Sequence, residues 1–171
     1  TVDVGIVANS RSALLDLIVE SKRFEWDRNP WISELNDLER EVRDLWDMAA
    51  RSDRTPIHPL RLCREVFEFM EESDVIVSDG GDVGQWAKIA AHPRHPRNWI
   101  TVGPILGIGN GIPYAMAAKL ARPEGRVILI SGDGSFGFAG MEYDVAVKEK
   151  IPFVAVVSTD RYWGIIRHDQ I

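Results

Sequence analysis

The chain has 171 residues, of which 45% are hydrophobic, and its formal net charge is −6. A chain of this length can bury a substantial core, and the composition is typical of a globular protein. The acidic balance, with no basic block, argues against nucleic acid as a partner. No apolar run reaches about 18 residues and no signal-peptide pattern is present, so we expect no membrane partner and a cytoplasmic location.

Residues 1–20 have the pattern of a strand followed by a helix. Residues 2–7 are rich in valine and isoleucine and predict a strand, and residues 12–19 carry leucine and isoleucine at helical spacing. A strand–helix pair alone cannot bury both of its faces. We therefore predict that residues 1–20 are the tail of a larger α/β domain.

Residues 21–56 are predicted to form a linker that contains a helix. Asn29 and Pro30 suit the N-cap and the first helical position. We interpret the helix as a packing connector and place the domain boundary in the polar, proline-ended residues 51–56. Its apolar positions share one helical face: Ile32, Leu35, Leu38, Val42 and Leu45.

From residue 57 onwards, helical and strand patterns alternate. The strand segments are continuously apolar, which is typical of parallel strands covered on both faces. Residues 57–171 are therefore predicted to form an open doubly wound parallel α/β sheet, whose ligands bind at the carboxyl ends of the strands. Cys63, the single cysteine, lies on the apolar face of a predicted helix and should be a buried, unreactive thiol. The predicted helices are 59–70, 83–91, 105–121 and 139–149, and the predicted strands are 75–78, 98–102, 126–131 and 152–158.

Acidic turns follow two of these strands. Gly132-Asp133-Gly134 ends the apolar run 127–130, and Thr159-Asp160 ends the run 153–157 about two dozen residues later. Glycines beside Asp133 allow a sharp turn and a close ligand approach, and free N–H groups at the start of a following helix favour an anion. Carboxylates there can hold a hard cation that keeps phosphate oxygens among its ligands. The pattern predicts a divalent-metal site for a phosphorylated ligand.

The two turns resemble the motif of thiamine diphosphate-dependent enzymes, in which Gly-Asp-Gly is followed some two dozen residues later by Asn-Asn. From about residue 55 the chain is similar to the acetolactate synthase and benzaldehyde lyase branch of that family. The resemblance implies a thiamine diphosphate-binding fold for residues 57–171, truncated at its C-terminus, and a central-domain tail for residues 1–20. Further matching segments are Asp79-Gly80-Gly81, the run 103–113, Ser135-Phe136, Glu142, Ile151-Pro152 and Trp163-Gly164.

The resemblance implies a Mg²⁺ site and a cofactor site at the strand ends. Asp133, Asp160 and the backbone carbonyl of Tyr162 would bind Mg²⁺ together with two diphosphate oxygens and a water. Ser135 would hydrogen-bond phosphate. The other candidate cofactor contacts around these residues are Gly81, Gly132, Gly134, Trp163 and Gly164.

Thr159-Asp160 departs from the Asn-Asn of the family. Asp160 adds a negative charge beside Asp133 and a diphosphate, and like charges repel unless a cation screens them. We therefore expect cofactor binding to depend more strongly on Mg²⁺ than it would with asparagine at position 160. Thr159 removes a side-chain amide, and the sequence gives it no role.

The resemblance also assigns roles to Leu106 and Ile108. Ile108 would support the two rings of thiamine diphosphate in a bent shape, and the carbonyl of Leu106 would accept a hydrogen bond from the cofactor's amino group. Without the resemblance, both residues would be interpreted as packing in the first turn of a helix.

Residues after the strand predicted over 75–78 have two interpretations. Asp82 either faces the diphosphate, together with Gly80 and Gly81, or caps the helix that begins near residue 83. Gln85 and Trp86 could reach a substrate, although Trp86 could equally lie in the core.

The histidines are weaker candidates. His92 and His95 lie in a proline- and arginine-rich segment, where a solvated loop is favoured over a metal site. His168 follows the second acidic turn and is a minor candidate for approaching the site. Glu142 and Asp144 are interpreted as structural or surface groups.

The family implies carbon–carbon bond formation or cleavage on 2-oxo acids, with acetolactate synthase-like carboligation preferred. The alternatives are a lyase acting on a 2-hydroxy ketone or a 2-hydroxyacyl-CoA, and a 2-oxo acid decarboxylase. In the family a glutamate of a separate domain, usually from a neighbouring subunit, activates the cofactor. No segment here corresponds to that domain, so we assign no catalytic residue and expect this chain alone to be inactive. The expected partners are a small-molecule substrate and further copies of the protein in a homodimer or homotetramer.

Other classes of function remain open at this point. Thr159-Asp160 favours a non-catalytic homologue that binds a cofactor or a partner protein. The retained Asp133, Ser135, Gly164 and Ile108 argue against it, because a degenerate site would not need all four. A flavodoxin-like phosphate-binding domain could use the same loop geometry, but it would have no need for an aliphatic side chain at Ile108.

Overall fold

The computed structural model describes residues 2–26, 30–91, 98–101, 103 and 107–171. The chain divides into two compact units, Thr1–Arg43 and Asp44–Ile171. The predicted boundaries at residues 20 and 56 remain predictions.

The first unit contains helix α1 (Ser10–Ser21) and the beginning of helix α2 (Pro30–Ala50). Both helices were predicted, and the Asn9 side chain caps α1 by accepting hydrogen bonds from the N–H groups of Arg11 and Ser12. The proposed N-cap of α2, Asn29, lies outside the described residues.

The predicted strand at residues 2–7 is wrong. These residues have no strand conformation, and the sheet that the structure describes consists of strands from the second unit. A strand needs a neighbour to satisfy its N–H and C=O groups, and no described strand pairs with this segment. Its valines are exposed, Val2 to 81%.

The second unit confirms the predicted α/β class with a parallel sheet in the order β2-β1-β3-β4. The strands are parallel throughout the described part of the sheet, so each connection crosses from one end of the sheet to the other. Its strands are β1 (Val75–Asp79), β2 (Trp99–Thr101), β3 (Val127–Gly132) and β4 (Val154–Ser158). Its helices are α3 (Pro59–Phe69), α4 (Asp82–Ala90), α5 (Gly111–Ala121), α6 (Asp133–Ala139), α7 (Glu142–Lys148) and α8 (Gly164–Gln170).

Helices cover both faces of the central strands. On one face Ile76 packs with residues of α3 and α4, including Leu60 and Cys63. On the other face Val75 and Val77 pack with α5. Alternate side chains of a strand point to opposite faces, so β1 is buried along its whole length. The sheet is therefore doubly wound, as predicted.

Strand β4 differs from the prediction of full coverage. Val154 is 54% exposed and Val157 is 38% exposed. β4 is hydrogen-bonded to β3 alone among the described strands, so fewer elements cover it than cover β1.

The prediction for Cys63 is confirmed. The residue is fully buried, and burial, with a smaller contribution from the charge of Asp82, raises the pKa of its thiol to about 12. None of the described helices combines the length and apolarity that crossing a bilayer requires.

The chain changes direction between β1 and β3. From β1 it passes through α4 to β2 on one side, and then through α5 to β3 on the other side of β1. Such a switch opens a crevice beyond the carboxyl ends of the two adjacent strands, where ligands bind in open α/β sheets. Asp79 and Gly132 end these two strands.

Two predicted helix boundaries near this crevice are wrong. The helix predicted over 105–121 begins at Gly111, because residues 107–110 form a turn in which Gly109 has φ +92°. The helix predicted over 139–149 is α7, which begins at Glu142. An additional short helix, α6, begins directly at Asp133 and precedes it. Glycines 134 and 137 lie in α6 and weaken its helical sequence pattern.

Candidate functional site

Asp133 joins the ends of β3 and β4. Its Oδ1 accepts a hydrogen bond from the N–H of Gly134 at 2.8 Å. Its Oδ2 accepts one from the hydroxyl of Thr159 at 2.7 Å and one from the N–H of Arg161 at 3.0 Å. The two acidic turns are distant in sequence. They meet because β3 and β4 are parallel neighbours, with Gly132 paired to Ser158.

Asp160 lies where the chain enters α8. Its Oδ1 accepts a hydrogen bond from the N–H of Tyr162 at 2.8 Å. A Cβ atom on Gly164 would lie 2.3 Å from Oδ2, so only glycine at position 164 permits this close approach. Arg161, whose N–H binds Asp133, has a left-handed backbone with φ +64°.

The donor set fits a hard divalent cation. Asp133 and Asp160 offer carboxylate oxygens from adjacent strand ends, and carboxylates are the ligands that Mg²⁺ accepts. The described residues contain no group of three or more His, Cys, Asp and Glu side chains that could hold a metal by themselves. A site here therefore needs oxygens beyond these two side chains, which backbone carbonyls and phosphates can supply.

Glycines bring the ends of β1 and β3 together. Gly80 has φ +115°, and a Cβ atom there would lie 2.9 Å from the N atom of Gly132 and 3.2 Å from Oγ of Ser135. Ser135 is 3% exposed. A Cβ atom on Gly134 would lie 3.0 Å from Nε1 of Trp163. Side chains at these glycines would push the neighbouring atoms away, so glycine permits this close packing at the strand ends.

The loop with Ile108 borders the same crevice. Ile108 is 37% exposed. Asp79, at the end of β1, accepts hydrogen bonds from the N–H groups of Gly109 and Gly111. Leu106 lies outside the described residues, so the position of its carbonyl stays a prediction.

The start of α8 packs against the start of α4, which follows β1 after Gly80 and Gly81. A Cβ atom on Gly81 would lie 2.5 Å from Cγ2 of Ile165, and one on Gly164 would lie 3.7 Å from Cβ of Asp82. The Trp163 ring contacts that of Phe138 in α6, with 5.9 Å between centroids. These contacts place the candidate residues of β1, β3 and β4 around one crevice.

The interpretation of Asp82 as a helix cap is wrong. Asp82 is the first residue of α4, and Gly81 occupies the N-cap position without a side-chain hydrogen bond. As an acidic residue in the first turn, Asp82 still interacts favourably with the helix dipole. Trp86 packs against the core, with its ring edge-on to His58 at 5.2 Å between centroids.

The other described candidates take no part in the contacts given above. His168 is exposed on α8, and Asp144 forms a surface ion pair with Lys148 at 2.5 Å. Glu142 is exposed at the start of α7. His92 and His95 lie outside the described residues.

The sequence did not reveal two of the side chains that organise the site. It gave no role to Thr159, whose hydroxyl binds Asp133, or to the carboxylate of Asp79. The signal for Asp79 was present, because an acidic residue ends a buried strand and two glycines follow it. The sequence offered no such indication for Thr159, because threonine is common in and around strands whatever its role.

Comparisons with known proteins agree with this geometry. Residues 79–171 match the family described as "Thiamine pyrophosphate enzyme, C-terminal TPP binding domain". The chain is 39% identical over 142 residues to the acetolactate synthase large subunit of Mycobacterium tuberculosis, covering 83% of this chain. It is 34% identical over 174 residues to 2-hydroxyacyl-CoA lyase 2 of Danio rerio, covering 98% of this chain. It is 32% identical over 142 residues to 2-hydroxyacyl-CoA lyase 2 of Homo sapiens, covering 82% of this chain.

The chain spans about a quarter of the length of these curated relatives. The aligned part is 26% of the Mycobacterium tuberculosis protein, 27% of the Danio rerio protein and 22% of the Homo sapiens protein. The comparison therefore concerns the part of those proteins that matches the crevice described above.

Proposed function

The chain belongs to the thiamine pyrophosphate enzymes, and on this premise we propose that its crevice binds thiamine diphosphate (the same compound) together with Mg²⁺. The observation that carries the proposal is the hydrogen bonding of Asp133 by Thr159 and Arg161. It unites the two acidic turns at the carboxyl edge of the sheet, where a metal and a diphosphate can be bound together.

Asp133, Asp160 and the carbonyl of Tyr162 would hold Mg²⁺, with diphosphate oxygens completing its coordination. Their positions at the ends of β3 and β4 support this assignment. Backbone N–H groups and the Ser135 hydroxyl would bind the diphosphate. The glycines that would line its binding site are Gly81, Gly132, Gly134 and Gly164. Trp163, a further candidate contact, lies beside Gly134.

Ile108 would support the organic part of the cofactor. Its partly exposed side chain lies on a loop fixed to the end of β1. An aliphatic side chain there can hold two rings in one orientation and so favour reaction between them. The carbonyl of Leu106 would accept a hydrogen bond from the cofactor's amino group.

The proposed reaction is carbon–carbon bond formation or cleavage on 2-oxo acids, with acetolactate synthase-like carboligation preferred. When bound, thiamine diphosphate supplies an electron sink for the carbon atom whose bond is broken or made. The residues of this chain would bind and orient the cofactor and exclude water around it. The identity of 39% to an acetolactate synthase large subunit supports the preference.

A second candidate is cleavage of a 2-hydroxyacyl-CoA. The alignment with a 2-hydroxyacyl-CoA lyase 2 over 98% of this chain favours it. Both reactions use the same cofactor, so they share the diphosphate and metal contacts and differ in substrate contacts.

The proposed partners are a small-molecule substrate and further copies of the protein. Activation of the cofactor by a glutamate from another domain of a homo-oligomer remains a prediction from the family resemblance. The cytoplasmic location and the lack of nucleic-acid or membrane partners also remain predictions from the sequence.

The proposed reaction can be tested with the full-length protein that contains this chain, incubated with thiamine diphosphate and Mg²⁺. A panel of 2-oxo acids would be followed for release of CO₂ and formation of 2-hydroxy ketones, and 2-hydroxyacyl-CoA for cleavage. We expect carboligation of a 2-oxo acid, lost in D133A. Cleavage of the acyl-CoA alone would favour the lyase. Cofactor binding without any turnover would favour the non-catalytic homologue.

A further inference from the structure

The carboxylate of Asp79 connects β1 to the loop at residues 107–110. Its Oδ2 accepts hydrogen bonds from the backbone N–H groups of Gly109 at 3.0 Å and Gly111 at 2.7 Å. Asp79 is 2% exposed, so water competes little for these bonds. A single carboxylate oxygen therefore fixes the backbone on both sides of position 110.

The loop has a backbone shape suited to this contact. Gly109 has φ +92°, a conformation that favours glycine. A Cβ atom on Gly111 would lie 2.8 Å from Cβ of Asp79, so glycine at position 111 allows the close approach. The Asn110 side chain donates a hydrogen bond to the carbonyl of Gly107 at 3.0 Å and closes the turn. Ile108 lies within this turn.

The opposite side of the loop rests on α6. A Cβ atom on Gly109 would lie 2.7 Å from Cβ of Phe138 and 3.7 Å from the carbonyl oxygen of Ser135. Both residues belong to α6, whose first residue is Asp133. The loop is therefore held between the end of β1 and the helix that begins at the candidate metal ligand.

The second oxygen of Asp79 takes no part in holding the loop. Oδ1 is buried and accepts no hydrogen bond from the residues that the structure describes. Asparagine would offer the same single acceptor to Gly109 and Gly111 without a charge.

We propose that Asp79 is a positioning residue, which through Oδ2 holds the 107–111 segment so that Ile108 faces the cofactor. The inference rests on the proposed function, because it is the proposed contact of Ile108 with thiamine diphosphate that makes the loop part of the site. Asp79 acts through the loop and needs no contact with the cofactor itself.

The first test is amide hydrogen exchange of the cofactor-free, full-length protein. D79A should speed exchange at Gly109 and Gly111 by about tenfold or more, while the amides of β3 keep their protection. D79N retains an acceptor and should keep exchange at these two amides within about threefold of wild type. Unchanged exchange at both amides in D79A would overturn the proposal.

The second test is a double-mutant cycle on the affinity for thiamine diphosphate with Mg²⁺, measured by calorimetry. D79A should weaken binding about tenfold in the wild-type background and less than about twofold in the I108A background. D79N should bind within about threefold of wild type. An equal loss in both backgrounds would show that Asp79 acts without Ile108 and would overturn the proposal.

A third variant keeps the proposal testable if D79A does not fold. G109A pushes the loop from its other side, against Phe138, and should weaken cofactor binding with the same dependence on Ile108. Wild-type affinity in G109A would contradict the proposal. If the wild-type protein binds no thiamine diphosphate, the proposed function fails, whereas the exchange experiment still decides whether Asp79 holds the loop.

Discussion

The hydroxyl of Thr159 donates a hydrogen bond to Oδ2 of Asp133 at 2.7 Å. This contact joins the loop after β4 to the first residue of α6, across the edge of the sheet where the cofactor is proposed to bind. The family motif has asparagine at position 159, and threonine also provides a donor there. The departure from the motif therefore retains a means of orienting the carboxylate of Asp133.

Replacing Thr159 by valine should weaken Mg²⁺-dependent cofactor binding by about tenfold. The change removes one donor to Asp133, and a hydrogen bond to a charged group contributes about 1.5–3 kcal/mol. We take the lower end because the N–H of Arg161 still binds the same oxygen. Calorimetric titration of Mg²⁺ at fixed thiamine diphosphate measures the effect. T159S keeps the hydroxyl and serves as the control, and equal affinities in T159V and T159S would rule out this role.

D160N should make cofactor binding less dependent on Mg²⁺. Asp160 brings a negative charge toward Asp133 and the diphosphate, and the cation is needed to screen their repulsion. The measurement is the ratio of the cofactor Kd without Mg²⁺ to the Kd with it. D144N, which changes a charge in a surface ion pair of α7, is the matched control. A ratio in D160N equal to that in wild type would contradict the charge argument.

G164A should disrupt the position of Asp160 and reduce cofactor affinity by about tenfold or more. The new methyl group would lie 2.3 Å from Oδ2 of Asp160, well inside van der Waals contact. G137A is the control, because a Cβ atom there meets no atom within 4 Å. Alanine should stabilise α6 by up to about 1 kcal/mol. Thermal unfolding measures the stability of both variants, and calorimetry measures their affinity for the cofactor. Wild-type affinity in G164A would refute the contact between Gly164 and Asp160.

His58 should make stability fall as the pH falls below its ordinary pKa of 6.5. Its Nδ1 accepts a hydrogen bond from the N–H of Leu60 at 3.1 Å and caps α3. Burial, and then the charge of Arg54, lower the pKa of His58 in the folded state. The unfolded chain therefore takes up the proton first, so the stabilisation is present above pH 6.5 and is lost as the pH falls through the folded-state pKa.

Urea unfolding of wild type and H58N from about pH 8 to about pH 5 tests this expectation. Asparagine is a good N-cap and does not titrate in this range. The stability difference between the two proteins should shift in favour of H58N as the pH falls. A stability difference that stays constant over this pH range would show that protonation of His58 is not coupled to unfolding.

The sequence predicted the sheet well because β1 and β3 are continuous apolar runs, which end at Asp79 and Gly132 respectively. Such runs are buried on both faces in parallel sheets, and their carboxyl ends form ligand sites whatever the sequence between them. The acidic turns could therefore be placed at one edge from their order alone. Their direct contact through Thr159 required the parallel pairing of β3 with β4.

Features that depend on contacts between distant residues were missed. The helix predicted from residue 105 begins at Gly111 because Asp79, 32 positions earlier, binds the Gly111 N–H. Local periodicity carries no information about such a bond. Residues 2–7 show the converse case, because a strand-like composition produces no strand without a neighbour to pair with.

The central claim is that Asp133 anchors a Mg²⁺-dependent thiamine diphosphate site. The most direct test is calorimetric titration of the full-length protein with thiamine diphosphate, with and without Mg²⁺, for wild type and D133A. We predict binding by wild type that depends on Mg²⁺ and is abolished in D133A, while thermal unfolding shows that the variant remains folded. Absence of binding by wild type in both conditions, or unchanged binding by a folded D133A, would contradict the claim.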